Sequence, residues 1–390
     1  MSRRRVYVRG VGAWTPLGRT WPASLARLAA GEGAVAPVAS FDAAGFPSTV
    51  AAAIPECHAG GGDSRLVLAR AAATEAWEAA GGARLGARAE RVGVFVGAEA
   101  GRPDLASAVR AAHAANGAAP PERLAPSLAS PAAVASQLVR DAGATGLVET
   151  VSLACASGAA AVLAALRALR AGACDVALAG GVGADVDPFL LAGFGLLGAL
   201  SARGVSRPFD ARRDGFVLGE CAAFVVLACE RDGAAVEVAG AAMTLDGHHL
   251  TAPEPGGVQA ARAMRAALDD AGVDGVDHLQ AHGTSTPLND AVEAQAIRRV
   301  LGGGLARCRV SSVKGALGHA IAGAGALGFV CAVEAVASGT VLPTVGLREP
   351  DRACELPHVL ERAVTAEVDA AMSNALAFGG ANCSLVVVRA

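Results

Sequence analysis

VSLACASGAAAVLAALRALRAG, residues 151–172, runs from a short strand-like stretch into a helix built almost wholly of small side chains. Ala, Leu and Arg are strong helix formers, and a closing glycine such as Gly172 suits a helix C-terminus. A strand that feeds directly into a helix is the repeating unit of layered α/β proteins. Cys155 stands at the seam and has two readings. A free cysteine packs as a small hydrophobe and is often buried. At a helix start, unpaired N–H groups and a partial positive charge favour thiolate and make the same sulfur reactive. Taken alone, the segment favours packing, because buried cysteines are common.

Working outward, runs such as RVGVFVG (91–97), CDVALAGG (174–181) and AAFVVLAC (222–229) read as strands between Ala/Leu-rich helical stretches. The chain also echoes itself. LACASGAAAVLAALRALRAG has a counterpart in ALGHAIAGAGALGFVCAVEAVASG (316–339): a strand exit, a reactive residue type, a helix of small residues and a closing Gly. Likewise GECAAFVVLACE (219–230) resembles GGANCSLVVVRA (379–390). The repeat divides the chain into halves, 1–235 and 236–390, with no polar linker between them. If a pseudo-twofold axis relates them, Cys155 and His319 open equivalent helices that meet at a shared interface.

Composition narrows the class. The chain is 53% hydrophobic and 18% charged with 49 glycines, too apolar for disorder, and its net charge of −3 gives no case for nucleic acid. The most apolar run, 189–200, is too short and Gly-interrupted to span a bilayer, and the basic N-terminus lacks a signal-peptide core. Nine scattered cysteines, none at C-x-x-C spacing, read as reduced thiols of a cytoplasmic protein without a metal site. Positive charge comes almost entirely from arginine. The single lysine, Lys314, lies five residues before His319, and a compact buried point charge is a task arginine does not perform.

Three C-terminal segments carry the remaining chemistry. In 280–297, His282 precedes a Gly-Thr-Ser-Thr-Pro loop and a helix bearing Asp290 and Glu293; a loop histidine satisfied by neighbouring hydroxyls is the plain reading. In 311–328 stand Lys314 and His319, and in 373–384 a glycine pair opens unusual backbone conformations. GAGALG (323–328) satisfies G-x-G-x-x-G, but it lies inside a helix rather than after a strand, so its glycines read as packing notches and not as a dinucleotide site. A thiol, two histidines, a lysine, an acid pair and a Gly-rich turn together describe acyl transfer through a thioester.

These residues carry a family likeness. LACASG, AHGTSTPLND, VKGALGHAIAGAGA and AFGGAN, with RPFDARRDGFVLGE and DGHHLTAPEP, resemble in order the signature segments of the β-ketoacyl-acyl carrier protein synthases, elongating type with a Cys-His-His centre. The resemblance implies a thiolase-like α/β fold, two pseudo-symmetric halves forming a five-layered αβαβα body, normally dimeric. It implies decarboxylative Claisen condensation. Cys155 would take the acyl group, His282 and His319 would assist malonyl decarboxylation, and the amides of Cys155 and Phe378 would form the oxyanion hole. Lys314, paired with Glu293, would orient the histidines. Thr284 and Thr286 would bind the pantetheine arm, and Leu376, Ala377, Phe378 and Gly379 would form the gate and substrate contacts. No resident cofactor is implied, since substrates arrive on the phosphopantetheine of an acyl carrier protein. The partner subunit would be a second copy or a chain-length-factor-like chain.

Gln280 stands where the family usually has Asn, Cys221 replaces a small residue, and the gate reads Leu376-Ala377-Phe378 rather than Phe-Gly-Phe. The altered gate leaves fatty-acid elongation beside a role as catalytic ketosynthase subunit in a type II polyketide or polyene pathway. A thiolase needs a second catalytic Cys; Cys383 is a candidate, but its match to Cys221 reads as strand packing. A non-catalytic chain-length factor would lack Cys155.

Overall fold

The computed structural model describes residues 3–58, 63–99 and 130–390. The first half runs β1 (Tyr7–Trp14), α1 (Trp21–Ala29), α2 (Ser64–Ala79), β2 (Val92–Gly97), α3 (Ala132–Ala142), β3 (Val148–Val151), α4 (Ser157–Arg170), β4 (Val176–Ala184), α5 (Pro188–Leu196) and β5 (Glu220–Ala228). The second runs β6 (Val236–Leu245), α6 (Val258–Ala271), β7 (His278–Gln280), α7 (Pro287–Leu301), β8 (Arg309–Ser311), α8 (Ile321–Ser338), β9 (Ala370–Leu376) and β10 (Ala381–Arg389). Short helical turns and two-residue strand pairs complete the described chain.

The strand order of the first half is β3-β2-β4-β5-β1, and that of the second is β8-β7-β9-β10-β6. Each strand of one half thus occupies the place of the strand five numbers later in the other. Directions repeat too: β3-β2 and β2-β4 are parallel while β4-β5 and β5-β1 are antiparallel, and the second sheet matches pair for pair. One antiparallel pairing, Tyr7 with Glu237, joins β1 to β6 at the seam. The echo between 219–230 and 379–390 is therefore the echo of β5 and β10.

Alternation along the strands builds the layers. Ala223, Val225 and Leu227 of β5 face a central cluster with α4, α8 and the inner face of the second sheet. Phe224, Val226 and Ala228 face α2 and α3. On β10, Cys383, Leu385 and Val387 turn inward while Val386 turns to α6 and α7. The result is helix, sheet, helix, sheet, helix, the five-layered body expected from the sequence.

The central layer explains the small side chains. A Cβ on Gly158 would meet the Ala322 carbonyl oxygen at 2.8 Å and the Ala326 methyl at 2.9 Å, and one on Gly325 would meet the Ala159 nitrogen at 2.9 Å. Helices α4 and α8 therefore touch backbone to backbone. Three glycines inside α8 weaken it by roughly 1 kcal/mol each relative to alanine. Burial of Leu327, Phe329, Val330, Val333 and Val336 outweighs that, at about 1.5–3 kcal/mol per large side chain. Among the described residues α8 is the one helix long and apolar enough to cross a bilayer, and most of it is enclosed between the two sheets.

His278 on β7 is 1% exposed, with Nδ1 3.0 Å from the Arg309 carbonyl oxygen. Burial lowers its pKa from 6.5 to about 4. The unfolded chain therefore binds a proton that the native protein refuses. Its contribution is complete above about pH 6.5 and is lost as the pH falls toward 4. His278→Gln is expected to lose less stability than the parent between about pH 7 and pH 5 in urea unfolding. Equal losses in the two proteins would contradict this.

Candidate active site

Cys155 lies two residues before α4 begins, and His319 two residues before α8 begins. The repeat thus sets thiol and imidazole at equivalent corners of two helices in contact. His319 Nε2 is 3.0 Å from Cys155 Sγ. The His282 and His319 rings stand edge to face at 5.4 Å and 82°. One ligand-type atom from each of the three side chains lies within 4.8 Å of the others. All three are buried, at 6%, 3% and 1% exposure for Cys155, His282 and His319.

Each is held by its backbone. Ala154 adopts φ +46°, a left-handed conformation that a non-glycine residue occupies at a penalty of roughly 1–2 kcal/mol, and this turn presents Cys155. His319 donates its N–H to the Val217 carbonyl at 2.8 Å and accepts from the Gly219 N–H at 3.0 Å. A Cβ at Gly219 would fall 2.2 Å from the Leu317 carbonyl oxygen, so only glycine allows that approach. The His282 loop is gripped by α7, where Asp290 and Glu293, one turn apart, share a face. Glu293 accepts from the His282 and Gly283 N–H groups, both at 2.8 Å, and Asp290 from those of Thr284 and Ser285 at 3.0 and 3.1 Å.

Lys314 corrects one expectation. Its Nζ donates to the His282 carbonyl at 2.5 Å rather than forming an ion pair with Glu293. The two charges reach the same residue from its two ends, lysine at the carbonyl and glutamate at the amide, and interact through space. Burial raises the Glu293 carboxyl to about 7.

Cys155 had two readings, a buried small hydrophobe and a helix-start thiolate. Burial dominates and pushes the thiol up to about 12, opposed by the Lys314 charge and by the N–H groups of Phe378 and of Cys155 itself. Burial, and then Lys314, hold both catalytic-type histidines well below 6.5. At neutral pH the resting trio is a thiol and two neutral imidazoles. His319 Nδ1 is buried without a hydrogen-bond partner. Orphaned buried N–H groups are rare, so the ring proton is assigned to Nε2, which then points as a donor at the sulfur.

A cavity of about 320 Å³ opens onto this trio. Phe194, Phe216, Ile321, Leu376 and Ala377 form apolar lining, while Thr284, Thr286 and Asn289 supply hydroxyl and amide groups. Thr284 and Thr286 are joined through their hydroxyls at 3.0 Å. Phe378 lines the cavity and tilts against Phe194 at 6.3 Å. Gly379 does not line it. With φ +86°, its N–H donates to the Leu250 carbonyl at 2.6 Å, so it ties the gate turn to the 246–257 loop. Cys383 is buried in the central cluster, away from the cavity, as the packing reading of that residue requires.

Sequence reading missed several supports. Asn374 donates to Glu293 at 3.3 Å and accepts from Ser384 at 2.8 Å, bracing the acid behind His282. Two polar residues, Ser373 and Asn374, within an otherwise apolar strand were the available signal. Phe194 of α5 and Phe216, 5.3 Å apart, form a wall of the cavity next to His319, and only their aromatic character in Gly-rich segments marked them.

The family models agree with this geometry. Residues 3–233 match the N-terminal domain of β-ketoacyl synthases and residues 235–348 the C-terminal domain. A 3-oxoacyl-[acyl-carrier-protein] synthase 2 of Coxiella burnetii is 33% identical over 100% of this chain and 99% of its own length. A solved ishigamide ketosynthase/chain length factor superposes with TM-score 0.90 at 33% identity, covering 100% of both chains. A type II polyketide acyl-carrier protein complex with its ketosynthase bound to the hexaketide gives TM-score 0.85 at 26% identity, again covering 100% of both chains. Whole-chain similarity at this level, on a doubled α/β frame that brings one cysteine and two histidines together, places the chain in the β-ketoacyl synthase family of condensing enzymes.

Proposed function

We propose that this chain is a β-ketoacyl-acyl carrier protein synthase that condenses an acyl group held on Cys155 with a malonyl thioester to give a 3-ketoacyl product. The observation that carries the reading is the meeting of Cys155, His282 and His319 within 4.8 Å on the wall of the cavity. In loading, Sγ attacks the acyl thioester. The C–S bond to the carrier breaks, and the thiol proton passes to the departing pantetheine sulfur. The Cys155 and Phe378 amides, already directed at the sulfur, receive the oxyanion. In condensation, the two neutral imidazoles donate to the malonyl thioester oxygen as CO2 leaves and negative charge gathers there. The new carbanion attacks the acyl carbonyl, and Cys155 departs as thiolate to be reprotonated, so one proton is consumed per cycle. Lys314, Glu293 and Asp290 hold the His282 loop, while Thr284, Thr286 and Asn289 offer polar contacts for the pantetheine arm.

The same reading takes residues 1–235 and 236–390 as the two halves, needs no resident cofactor, and places the enzyme in the cytoplasm with an acyl carrier protein as substrate bearer. It takes the enzyme as a dimer. Among the described residues β3 is the edge strand of the first half, and Val148 with the preceding Leu147, each about 40% exposed, offers apolar side chains there for a second subunit. Whether that subunit is a second copy or a chain-length-factor-like chain separates elongation of fatty acids from the polyketide or polyene alternative. The resemblance to the ishigamide ketosynthase/chain length factor supports the latter as second reading.

The test is mass spectrometry of Cys155 after incubation with a panel of acyl carriers, in the parent and in His319→Ala. The parent is expected to carry an acyl adduct on Cys155 and to release ketoacyl product when malonyl carrier is added. His319→Ala is expected to load but to condense about 100-fold more slowly. An unmodified Cys155, or loss of loading with condensation spared, would defeat the reading.

A further inference from the structure

The turn that presents the nucleophile is held by side chains outside the catalytic trio. Ser157, the first residue of α4, is fully buried, and its Oγ accepts from the Leu153 N–H at 2.8 Å. The same Oγ lies 2.7 Å from the Ala154 carbonyl oxygen and 3.0 Å from Glu99 Oε1. These contacts bracket Ala154, the strained residue before Cys155. One hydroxyl proton faces two acceptors, and an ionised carboxylate is the stronger.

Glu99 follows β2 and is half-buried. Its carboxylate contacts only the Ser157 hydroxyl and, at 3.4 Å, that of Ser152 among the described residues. Arg65 binds Asp63 at 2.6 Å and donates to the Glu99 carbonyl, not to its carboxylate. Among the described residues no cationic side chain pairs with this carboxylate, which stands at the base of the nucleophile's turn. It acts against Lys314: Glu99 raises the thiol's pKa while Lys314 lowers it. Burial dominates at the sulfur, opposed by Lys314 and by the Phe378 and Cys155 amides, and Glu99 adds to it from the first half; the His319 and His282 rings stand beside the sulfur.

We propose that Glu99, acting through Ser157, is a positioning residue for Cys155: the pair fixes the strained turn, and the carboxylate charge adds to burial in keeping the sulfur a thiol in the resting enzyme. The proposal rests on Cys155 as the acyl-accepting nucleophile and says how that nucleophile is kept in reserve. A resting thiol resists alkylation and oxidation, because thiolate is the reactive form.

The test follows the rate of iodoacetamide alkylation at Cys155 by peptide mass spectrometry from about pH 6 to pH 10, which needs no substrate. Glu99→Gln keeps the size and removes the charge. It is expected to alkylate at least about threefold faster near neutral pH, with its profile moved to lower pH, while Glu99→Asp follows the parent. Ser157→Ala is expected to load acyl groups about tenfold more slowly with KM unchanged, and Ser157→Thr to restore the rate. Superimposed profiles for parent and Glu99→Gln, or a Glu99→Asp profile that follows Glu99→Gln, overturn the charge role. Parental loading by Ser157→Ala overturns the positioning role. Absence of an acyl adduct on the parent, with the Glu99→Gln shift intact, would instead defeat the nucleophile assignment. Melting temperatures of all four variants identify any that fold poorly, and the conservative pair then carries the comparison.

Discussion

Cys155→Ala is expected to carry no covalent acyl group and to lower condensation by about three orders of magnitude or more, with its melting temperature close to that of the parent. The two outcomes separate because of where the sulfur sits. Its partners are His319 Nε2 and two backbone amides, none of which needs the thiol to hold its own place. His319 is fixed through its peptide groups by residues 217–219, and the turn before Cys155 by Ser157. Removing one sulfur atom at a cavity wall leaves little new void. The measurement is adduct formation by mass spectrometry beside product release and a thermal melt. Condensation at an undiminished rate would show that the acyl group is held elsewhere.

Lys314→Arg is expected to lower the condensation rate by about 100-fold while leaving the chain folded. Lys314 is 6% exposed, and its ammonium sits within hydrogen-bond reach of the His282 carbonyl. The neighbouring chamber, lined by Gln280, Cys221 and Asn374 as well as Lys314, has a volume near 10 Å³, room for about one water. A planar guanidinium does not fit there, so it must displace the His282 loop or leave the charge misplaced. A misplaced charge also opposes burial at Cys155 less effectively than the Lys314 ammonium does, and so slows loading as well. Steady-state kinetics with saturating malonyl carrier read the effect. Rates within twofold of the parent would make the placement of this chain's single lysine incidental.

How far the sequence carried is clearest at α4 and α8. Small residues on both, the glycines of 323–328 and the doubled strand-to-helix pattern led to the packed central layer, because close helix contact leaves a direct mark on composition. The trio was legible only in combination: Cys155 and His282 each had a plain structural reading alone, and the four ordered segments that resemble the family gave them their roles. What remained hidden depends on burial and on contacts between distant segments. The helix start at Cys155 suggested thiolate, yet the desolvation that makes it a thiol exists only after both sheets close around it. The pairing of Glu293 with Lys314 came from the family resemblance, while their actual arrangement at the two ends of His282 follows from loop geometry that spacing does not record. Glu99 gave no signal at all, since its meaning lies in Ser157, far along the chain.

The contact of α4 and α8 through Gly158 and Gly325 has a consequence for how the family member can change. Thiol and imidazole are mounted on opposite jaws, and the gap between them is spaced by single methyl groups. A substitution at these contacts resets the reach between sulfur and ring nitrogen. Adaptation to new acyl chains is therefore expected at lining side chains such as Phe194, Leu376 and Ala377, and not at the glycines where the jaws touch.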